Sequence, residues 1–564
     1  MQANGLFSEQ VTQRRILRVQ WWSRCAIAVF ALILFWICRF RMNVDGVCYL
    51  DMGDLYWKGD WHAALSAYWS PLYGWLTGLM FLAMRPGLHW EYVEIKLLNF
   101  AIFMAVLFCF EFFWREVLAT KGAQAWAGAA RPYAWFIGYV LFAQVHLIIH
   151  PADIVTPDLL VAAVVYLASA MMLRFSAGRM GAASALCFGV LLGIGYLAKA
   201  AMLPFAALVM MTMLACAWKQ RGRKSLIAAT MLGFLAICLP FIAALSWNMH
   251  RLTIGDSGRL NYAWNVNKEN LLRSYLNEPG NAASRRLERT VIDSQEVDVL
   301  NTPLPGTSPV SYNPVYWAAG LDSRMHPARQ ARALFTNIRQ IAMGAFLRSG
   351  LLATLVLLLF INDRVANWWR NILSLWLILA PTVAVFLMYA MVVWEPRYTS
   401  GVLLVVWSTA VAATSISPAT HNSSKLLVTS LLLGTMFVCM FSIARVHNYR
   451  ERGIWAYQIP LAERLRTLGI IPGDRVAVIG DMYDASTWAR LDKVSIVAVA
   501  RNSIIASDAP DNAFWHSSPE CEAKVLDILK SNGTKAVIAD NQSAVLPPGW
   551  ISIGNTGRAV YFFR

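Results

Sequence analysis

The chain has 564 residues, of which 57% are hydrophobic and only 15% are charged. Soluble proteins usually carry about 25% charged residues, whereas apolar runs near the length of a bilayer span recur along this chain. The composition argues against a soluble protein and, since the runs do not alternate in polarity, against a transmembrane β-barrel. We predict a polytopic α-helical membrane protein.

The formal net charge is +16, and the chain contains nine cysteines. In a membrane protein, excess positive charge mostly reflects basic residues that anchor cytoplasmic loops, so nucleic-acid binding is not inferred. The cysteines form no CxxC pair, and most lie in or beside apolar runs, which is typical of small core residues. No disulfide framework or zinc site is therefore predicted. The N-terminal RRILR and the apolar run after it predict an uncleaved first span.

Basic residues in loops set the predicted orientation of the spans. Four arginines precede the first span, so its N-terminal end is cytoplasmic and the loop after it is extracytoplasmic. We expect Pro71–Met84 to be re-entrant or interfacial, since it is short and interrupted by glycines. The total is about eleven spans. They lie at residues 25–40, 92–114, 133–149, 159–173, 182–197, 202–218, 226–247, 341–361, 372–394, 402–416 and 426–443.

The orientation predicts a transmembrane catalytic domain (1–444) with outer loops at 41–92, 150–157 and 248–340. The last loop is too long for a plain connector, so we expect it to be functional or lid-like. The tail (445–564) has strand-like runs and a helix-like segment, which predicts a small α/β domain. By span parity this domain is extracytoplasmic. The strand-like runs are 475–480, 494–500, 535–540 and 559–563, and the helix-like segment is 523–533.

An acidic and aromatic segment follows the first span. Asp45, Asp51 and Asp54 lie within ten residues, together with Tyr49 and Tyr56. Carboxylates and rings just outside a span suggest a site facing a lipid-borne substrate, although aromatic residues collect at membrane surfaces regardless of function. The predicted orientation places further ionisable groups on the same side. These are Asp153, Asp158, Lys199 and Arg397.

Each of the later ionisable residues has a structural alternative. Lys199 can snorkel, and Arg397 can pair with Glu395. Asp158 can stabilise a helix N-terminus. Because ionisable groups at span ends are costly and usually functional, their coincidence on one side favours a shared outer cavity. Such a cavity suits glycosyl transfer from a lipid phosphate, since lysine and arginine hold a phosphate and a carboxylate acts as general base.

Several short motifs resemble, in their order and spacing, the GT-C superfamily of polyprenyl-phosphate-sugar-dependent glycosyltransferases. The similarity is greatest to the branch that holds the lipid A aminoarabinose transferase and the protein O-mannosyltransferases. The motifs are Asp45 with Tyr49 four residues on, GDW (59–61), SPLYGWL (70–76), TPDLL (156–160), YLAKA (196–200) and RY (397–398). The resemblance covers roughly residues 15 to 410.

The resemblance implies an inverting glycosyltransferase of the plasma membrane that acts on the extracytoplasmic side. Its donor would be a polyprenyl-phosphate monosaccharide, and its acceptor a glycan, lipid or protein. The predicted site residues are Asp45, Asp158 and Asp153 as catalytic carboxylates, Lys199 and Arg397 as donor-phosphate contacts, and Tyr49, Tyr398, Asp51 and Asp54 as substrate-binding residues.

One departure from the family concerns the residue after the first acid. The family often has Asp-Glu in the first outer loop, whereas Gly46 follows Asp45 here. The second acid would then come from the same loop or from the next one. A divalent metal ion therefore stays open as a cofactor, since some family members use one and others do not.

Three rival functions are weighed against this one. A transporter or flippase of lipid-linked sugars predicts broken helices and charges near the bilayer midplane, which the sequence does not show. A polysaccharide polymerase or ligase would use the long outer loop, where Arg324, Arg329 and Arg332 are alternative phosphate contacts. A non-catalytic scaffold with a binding domain is the third, although the tail lacks a Gly-rich phosphate loop.

Overall fold

The computed structural model describes most of the chain. The described residues are 2–149, 152–218, 221–268, 287–292, 295–301, 305–318, 321, 323–347, 365–414, 434–436, 438–441, 443–444, 447, 457–502, 513–540 and 546–563. Residues 348–361 of the eighth predicted span and most of the eleventh lie outside them.

Residues 2 to 268 are almost entirely helical, since long apolar segments in a bilayer can satisfy their backbone groups only within the segment. The α-helices are Gln2–Ile37 (α1), Val44–Trp57 (α2), Trp61–Ala64 (α3), Pro71–Met84 (α4), Glu91–Leu118 (α5), Arg131–Ala143 (α6), Asp158–Ser176 (α7), Ala182–Ala198 (α8), Met202–Ala217 (α9), Arg221–Asn248 (α10), Ser257–Asn265 (α11), Pro309–Tyr312 (α12), Pro314–Trp317 (α13), Pro327–Ile341 (α14), Val365–Ser374 (α15), Trp376–Val392 (α16), Pro396–Ala412 (α17), Gln458–Thr467 (α18), Met482–Asp492 (α19) and Pro519–Lys530 (α20).

Five of the described helical segments are long and apolar enough to cross a membrane. They are Glu9–Ile37, Glu91–Leu118, Gly128–Ile149, Asp158–Ser176 and Gly222–Asn248. The pair α15 and α16, bent by 85°, would make a sixth. The predicted total of about eleven is not confirmed, since α8 and α9 have only 17 and 16 residues and much of the eighth and eleventh predicted spans lies outside the described residues. Pro71–Met84 forms α4, an apolar helix that is also too short for that count.

Helix α2 is held tightly against α4 by glycine residues. A Cβ atom at Gly53 would lie 2.5 Å from Thr77 Oγ1, and one at Gly78 would lie 2.7 Å from the carbonyl oxygen of Gly53. Glycine alone permits this approach, because any larger residue would collide with the facing backbone. The Thr77 hydroxyl also donates a hydrogen bond to the carbonyl of Tyr49 at 3.1 Å. These contacts hold one face of α2, which carries the first predicted acid, against α4.

A seven-stranded sheet forms the C-terminal domain, with strand order β1-β2-β4-β3-β5-β7-β6. The strands are Leu287–Ile292 (β1), Gln295–Leu300 (β2), Arg475–Ile479 (β3), Ser495–Asn502 (β4), Ala536–Asp540 (β5), Trp550–Ser552 (β6) and Arg558–Phe562 (β7). Strands β4, β3 and β5 are parallel, and the other pairings are antiparallel. The four predicted strand-like runs correspond to β3, β4, β5 and β7. Helices α18 and α19 pack on one face and α20 on the other.

The predicted boundary of this domain is incomplete. Strands β1 and β2 come from the long loop 248–340, and β2 pairs antiparallel with β4, so that Val297 faces Ala500. All six residues of β2 are buried. The α/β domain therefore comprises part of the loop as well as the tail. Periodicity along the chain could not reveal this pairing, because the two strands are far apart in sequence.

Candidate functional site

Four helix ends meet, and each carries or adjoins an ionisable residue predicted for the site. The N-terminal turns of α2, α7 and α17 carry Asp45, Asp158 and Arg397, and Lys199 directly follows α8. A carboxylate in the first turn is favoured by the helix dipole, which suits both aspartates. Lys199 has an extended backbone, with φ −157° and ψ 127°, and so ends α8 before the chain turns into α9.

These four side chains, which we call the cavity cluster, form a chain of ionic contacts. Arg397 Nη2 lies 2.8 Å from Asp45 Oδ2, and its Nε lies 3.9 Å from Asp158 Oδ2. Lys199 Nζ lies 2.6 Å from Asp158 Oδ1. The hydroxyl of Thr156 donates a hydrogen bond to Asp158 Oδ2 at 2.9 Å. The cluster thus brings together two carboxylates and two cations from four separate helices.

Aromatic rings surround the cavity cluster. Lys199 Nζ lies 3.6 Å from the ring centroid of Tyr398, and that ring stacks on Tyr389 at 5.3 Å. Tyr49 packs edge-on against Trp69 at 5.3 Å. A cation over an aromatic face is stabilised by the ring quadrupole, so Tyr398 helps to hold the lysine in place. The two predicted tyrosines, 49 and 398, are both part of this arrangement.

A first cavity of about 370 Å³ is lined by all four members of the cavity cluster and by Tyr49 and Tyr398. Its volume lies within the range of roughly 300–1,000 Å³ that small-ligand sites occupy. Tyr68 also lines it, and burial together with the nearby Asp45 carboxylate raises the pKa of that phenol well above its usual value. Tyr68 therefore stays neutral and can only donate or accept a hydrogen bond there.

A second cavity of about 460 Å³ shares Asp45 and Arg397 with the first. Its other lining residues include Arg41, Asp153 and Glu395. Because both cavities are lined by Asp45 and Arg397, a ligand in either one can reach that ion pair. The arrangement offers separate spaces for two reactants on either side of one carboxylate and one guanidinium.

Asp153, predicted as an alternative catalytic acid, lies at the second cavity. It is fully buried, and Arg41 Nη1 lies 3.0 Å from its Oδ2. Lys96 donates a hydrogen bond to its backbone carbonyl. The structure does not bring Asp153 to the first cavity, since it does not line that space.

Gly46, at the position where the resembled family often has a second acid, is closely surrounded by other residues. A Cβ atom at Gly46 would lie 2.8 Å from Met42 Sδ and 2.9 Å from Val155 Cβ. No side chain fits at this position without displacing one of these neighbours. The other carboxylate of the first cavity is therefore that of Asp158, which comes from the next outer loop.

Asp51 and Asp54, predicted as substrate-binding residues, line neither cavity. Both bond to Arg490 of α19, at 2.7 and 2.8 Å, respectively. Burial raises the pKa of Asp54, but Arg490 and Lys493 outweigh that effect and hold the pKa below its usual value. These two aspartates therefore contact the C-terminal domain.

The basic residues of the long loop also lie elsewhere. Arg329 Nη1 donates a hydrogen bond to the carbonyl of Asn267 at 2.6 Å. Neither it nor Arg324 nor Arg332 lines either cavity. The loop contributes to the first cavity through α11, where Asn261 is a lining residue.

Several lining residues were not predicted from the sequence. They are Tyr68, Trp69, Asn261 and Tyr389 in the first cavity and Arg41 in the second. Only the length and polarity of its loop could have pointed to Asn261. Tyr389 lies inside a predicted span, where an aromatic residue gives no signal of function.

A divalent metal ion, which the sequence left open as a cofactor, would need ligands among the residues of the site. Among the described residues, no group of three or more His, Cys, Asp or Glu side chains is placed to hold a metal ion. The two carboxylates of the first cavity each contact a cationic side chain, which a divalent ion would have to displace. The donor set of the cavity cluster therefore does not fit a divalent metal site.

Several solved structures match most of the chain, among them the following three. Apo ArnT from Cupriavidus metallidurans matches with a TM-score of 0.55 and 13% identity, covering 96% of this chain and 97% of its own. The same protein bound to undecaprenyl phosphate gives 0.41 and 14%, covering 95% and 96%. The apo oligosaccharyltransferase of Archaeoglobus fulgidus gives 0.49 and 12%, covering 93% and 70%. No protein-family model matches the sequence, and no curated protein does. The match to apo ArnT shows that the chain shares the fold of that protein, in agreement with the GT-C resemblance of its motifs.

Proposed function

We propose that this chain, with its GT-C fold, is an inverting membrane glycosyltransferase. It moves a monosaccharide from a polyprenyl-phosphate donor to an extracytoplasmic glycan, lipid or protein. The observation that carries the proposal is the cavity cluster, in which two cations and two carboxylates from four helices line one cavity of about 370 Å³. Cations bind a phosphate leaving group, and a carboxylate takes a proton from the attacking group.

Lys199 and Arg397 hold the donor phosphate. An acceptor hydroxyl or amine attacks the anomeric carbon from the face opposite the phosphate and passes its proton to a carboxylate. The bond between the anomeric carbon and the phosphate oxygen breaks, and the polyprenyl phosphate leaves with an additional negative charge. The two cations stabilise that charge more strongly than they stabilise the intact donor, which lowers the barrier. One displacement inverts the anomeric configuration.

Asp45 is the general base of this proposal. Its side chain is 31% exposed, whereas that of Asp158 is 2% exposed, so an acceptor can reach Asp45 much more readily. Asp45 is also the carboxylate shared by both cavities. When Arg397 turns toward the donor phosphate, it competes less for Asp45, and the carboxylate becomes a better proton acceptor.

Asp158 orients the two cations. It bonds to Lys199 at 2.6 Å and lies 3.9 Å from Arg397, and Thr156 holds its other oxygen. A buried carboxylate between two cations keeps both near one point without taking part in proton transfer. The longer contact to Arg397 leaves that guanidinium room to reorient toward a phosphate.

The protein acts as an integral membrane protein with the site on the extracytoplasmic side. The five long apolar helices support the membrane setting. The contacts between α2 and α19 join the cavity end of the bundle to the C-terminal domain, so both lie on the same side. A reporter fused after the last residue that is active only outside the cytoplasm tests this orientation. A reporter active only in the cytoplasm would contradict it.

The function is tested with purified protein in lipid nanodiscs. Polyprenyl-phosphate monosaccharides that differ in the sugar are supplied with a total extract of cell-envelope acceptors, and release of polyprenyl phosphate is measured. We expect release with at least one sugar, an inverted anomeric centre in the product by NMR, and no release by the Asp45→Asn variant. Consumption only of diphosphate-linked oligosaccharides would identify a polymerase or ligase instead. Movement of intact donor across the membrane of sealed proteoliposomes, without cleavage, would identify a transporter.

A further inference from the structure

A buried ionic cluster joins the C-terminal domain to α2 and α5. Its members, which we call the docking cluster, are Asp51, Asp54, Glu91, Arg490 and Lys493. Arg490 is only 2% exposed, and its Nη1 lies 2.7 Å from Asp51 Oδ1 and 2.8 Å from Asp54 Oδ2. Its Nε lies 2.6 Å from Glu91 Oε1. One guanidinium from the C-terminal domain thus contacts three carboxylates of the helical bundle.

The charge balance of the docking cluster depends on Arg490. Lys493 is the other cation, and its Nζ lies 2.6 Å from Glu91 and 3.5 Å from Asp54. Without Arg490, three carboxylates would face a single lysine in a buried setting. Removing one partner of a buried ion pair leaves an uncompensated charge, which is strongly destabilising locally. The ionic contact between the C-terminal domain and the helical bundle therefore depends mainly on Arg490.

A second bridge runs from α2 to the sheet through the long loop. The backbone N–H and hydroxyl of Thr307 donate hydrogen bonds to the two Asp51 oxygens at 2.8 and 2.9 Å. The carbonyl of Thr307 accepts a hydrogen bond from the N–H of Ile496 in β4 at 2.9 Å. Tyr92 of α5 donates a hydrogen bond to the carbonyl of Thr487 in α19. Thr307 and Arg490 thus meet at the same carboxylate of α2, that of Asp51, while Tyr92 ties α5 to the C-terminal domain.

Both clusters include residues of α2. Asp45 is in the first turn of α2, and Asp51 and Asp54 lie further along it. With a rise of about 1.5 Å per residue, Asp45 and Asp51 are only about 9 Å apart along the axis. A helix is rigid over this length, so a shift at its docked end moves Asp45 as well. Lys199 and Arg397 lie on other helices and are not part of the docking cluster.

From this geometry we infer that Arg490 is a positioning residue for the transfer reaction. It fixes α2, and through α2 the carboxylate of Asp45, relative to the cations that hold the donor phosphate. The inference rests on the proposed function, because the reaction it serves is the one proposed above. It assigns to the C-terminal domain the task of completing the geometry of a site that lies in the helical bundle.

The test compares Arg490→Met with Arg466→Met in the full-length protein. Arg466 Nε lies 2.8 Å from Asp492 Oδ1, and its Nη2 donates to the carbonyl of Leu491 at 2.6 Å. It thus joins α18 to the end of α19 inside the C-terminal domain and is not part of the docking cluster. The control loses a 40% exposed arginine whose partner Asp492 is buried in the same domain, so it reports general damage to that domain.

We expect Arg490→Met to lower kcat about tenfold to a hundredfold, the loss expected when a reacting group is misplaced by about 1 Å. The KM for the donor stays unchanged, because Lys199 and Arg397 are undisturbed. Arg490→Lys keeps the charge and recovers part of kcat. Arg466→Met leaves kcat unchanged.

In an Asp45→Asn background, Arg490→Met causes no further loss, since the group it positions is already missing. Hydrogen exchange of the α2 amides becomes faster in Arg490→Met and stays unchanged in Arg466→Met.

The inference is overturned if Arg490→Met keeps its kcat, or if Arg466→Met loses as much. If Arg490→Met is not recovered folded, Arg490→Lys decides: wild-type kcat and wild-type exchange in α2 overturn the inference, and an intermediate kcat with faster exchange supports it. Hydrogen exchange needs no substrate, so it separates the two proposals. Faster exchange in a protein that transfers no sugar would refute the proposed function and leave the coupling standing. Unchanged exchange in an active enzyme would refute the coupling alone.

Discussion

The cavity cluster and the docking cluster use the same kinds of side chain, and both include residues of α2, yet they differ in what surrounds them. Asp45 is 31% exposed and lines two cavities. Arg490 is 2% exposed and lines neither cavity. The comparison indicates that the space beside a charged side chain decides whether a ligand can reach it. Charge and position in the sequence do not make this distinction.

The two clusters also differ in how closely their arginines approach the neighbouring carboxylates. In the docking cluster, Arg490 reaches all three carboxylates at 2.6 to 2.8 Å. In the cavity cluster, Arg397 makes one close contact and one of 3.9 Å. Three short contacts hold Arg490 in place, although its buried Nη2 has no hydrogen-bond partner among the described residues. A longer contact, such as that of Arg397 to Asp158, lets a cation exchange a protein carboxylate for a phosphate, which the proposed transfer reaction requires.

The largest expected effect comes from Asp45→Asn. Loss of a general base lowers kcat by about two to four orders of magnitude. The fold should be unaffected, because the side chain is partly exposed and asparagine has nearly the same shape. Turnover and thermal unfolding of the purified variant check this, with Asp60→Asn as the control, since Asp60 caps the short helix α3 and is exposed. Near-wild-type turnover in Asp45→Asn would move the catalytic role to Asp158 or Asp153.

The next effect concerns the donor phosphate. A hydrogen bond to a charged group contributes about 1.5–3 kcal/mol, so Lys199→Ala should weaken donor binding by about tenfold or more. Arg397→Lys keeps the charge but loses the planar fork and should also be impaired. Binding of a polyprenyl-phosphate sugar to each variant is the measurement, with Arg332→Lys of the long loop as the control. If both variants bind the donor normally, the phosphate site lies elsewhere.

A smaller effect is expected from Asp54→Asn in the docking cluster. The folded-state pKa of Asp54 is lowered, so its pairing stabilises the fold above its unfolded pKa and is lost as pH falls through the folded value. The variant should be less stable at neutral pH by about 1 kcal/mol, a value that allows for partial exposure. The difference in stability between the variant and the wild-type protein should disappear below about pH 4. Thermal melting across this pH range measures it, and donor affinity should stay at the wild-type value. A loss of donor affinity would place Asp54 at the substrate instead.

The smallest expected effect is that of a chelator. Since Lys199 and Arg397 meet the phosphate in the cavity cluster, EDTA should leave turnover unchanged. The measurement is the release of polyprenyl phosphate before and after chelation and after restoring Mg²⁺ or Mn²⁺. Loss of turnover on chelation and its recovery with metal would show that the paired carboxylates give way to a cation during the reaction.

Local sequence patterns predicted the features that depend on residues close together in the chain, namely helices, strands and the side on which each span end lies. The apolar runs among the described residues are helical, although α8 and α9 have only 17 and 16 residues. The tail runs became β3, β4, β5 and β7. Orientation drawn from loop arginines and lysines put Asp45, Asp158, Lys199 and Arg397 on one side, and the structure brings them to one cavity. That grouping was possible because helix direction alternates, so span ends can be assigned without knowing their contacts.

Long-range contacts were beyond such patterns. Asp51 bonds to Arg490, which is 439 residues away, and no local signal connects them. For the same reason, the sequence did not reveal the pairing of β2 with β4. It also did not reveal the ion pair between Arg41 and Asp153, which are 112 residues apart. Asp51 and Asp54 were grouped with Asp45 because they are close in sequence. Their positions further along α2 direct them to a different partner, which only the fold supplies.

The β1–β2 hairpin has a consequence for the order in which this protein is made. Its strands leave the ribosome well before β4, the strand that β2 will join. Until β4 has been made, β2 presents a row of unpaired backbone groups on that side, and such open edges invite association with other chains. The later the tail arrives, the longer this edge stays open. A chain truncated before β3 would keep the hairpin in that exposed state permanently, so a shortened protein must lose the hairpin and the tail together.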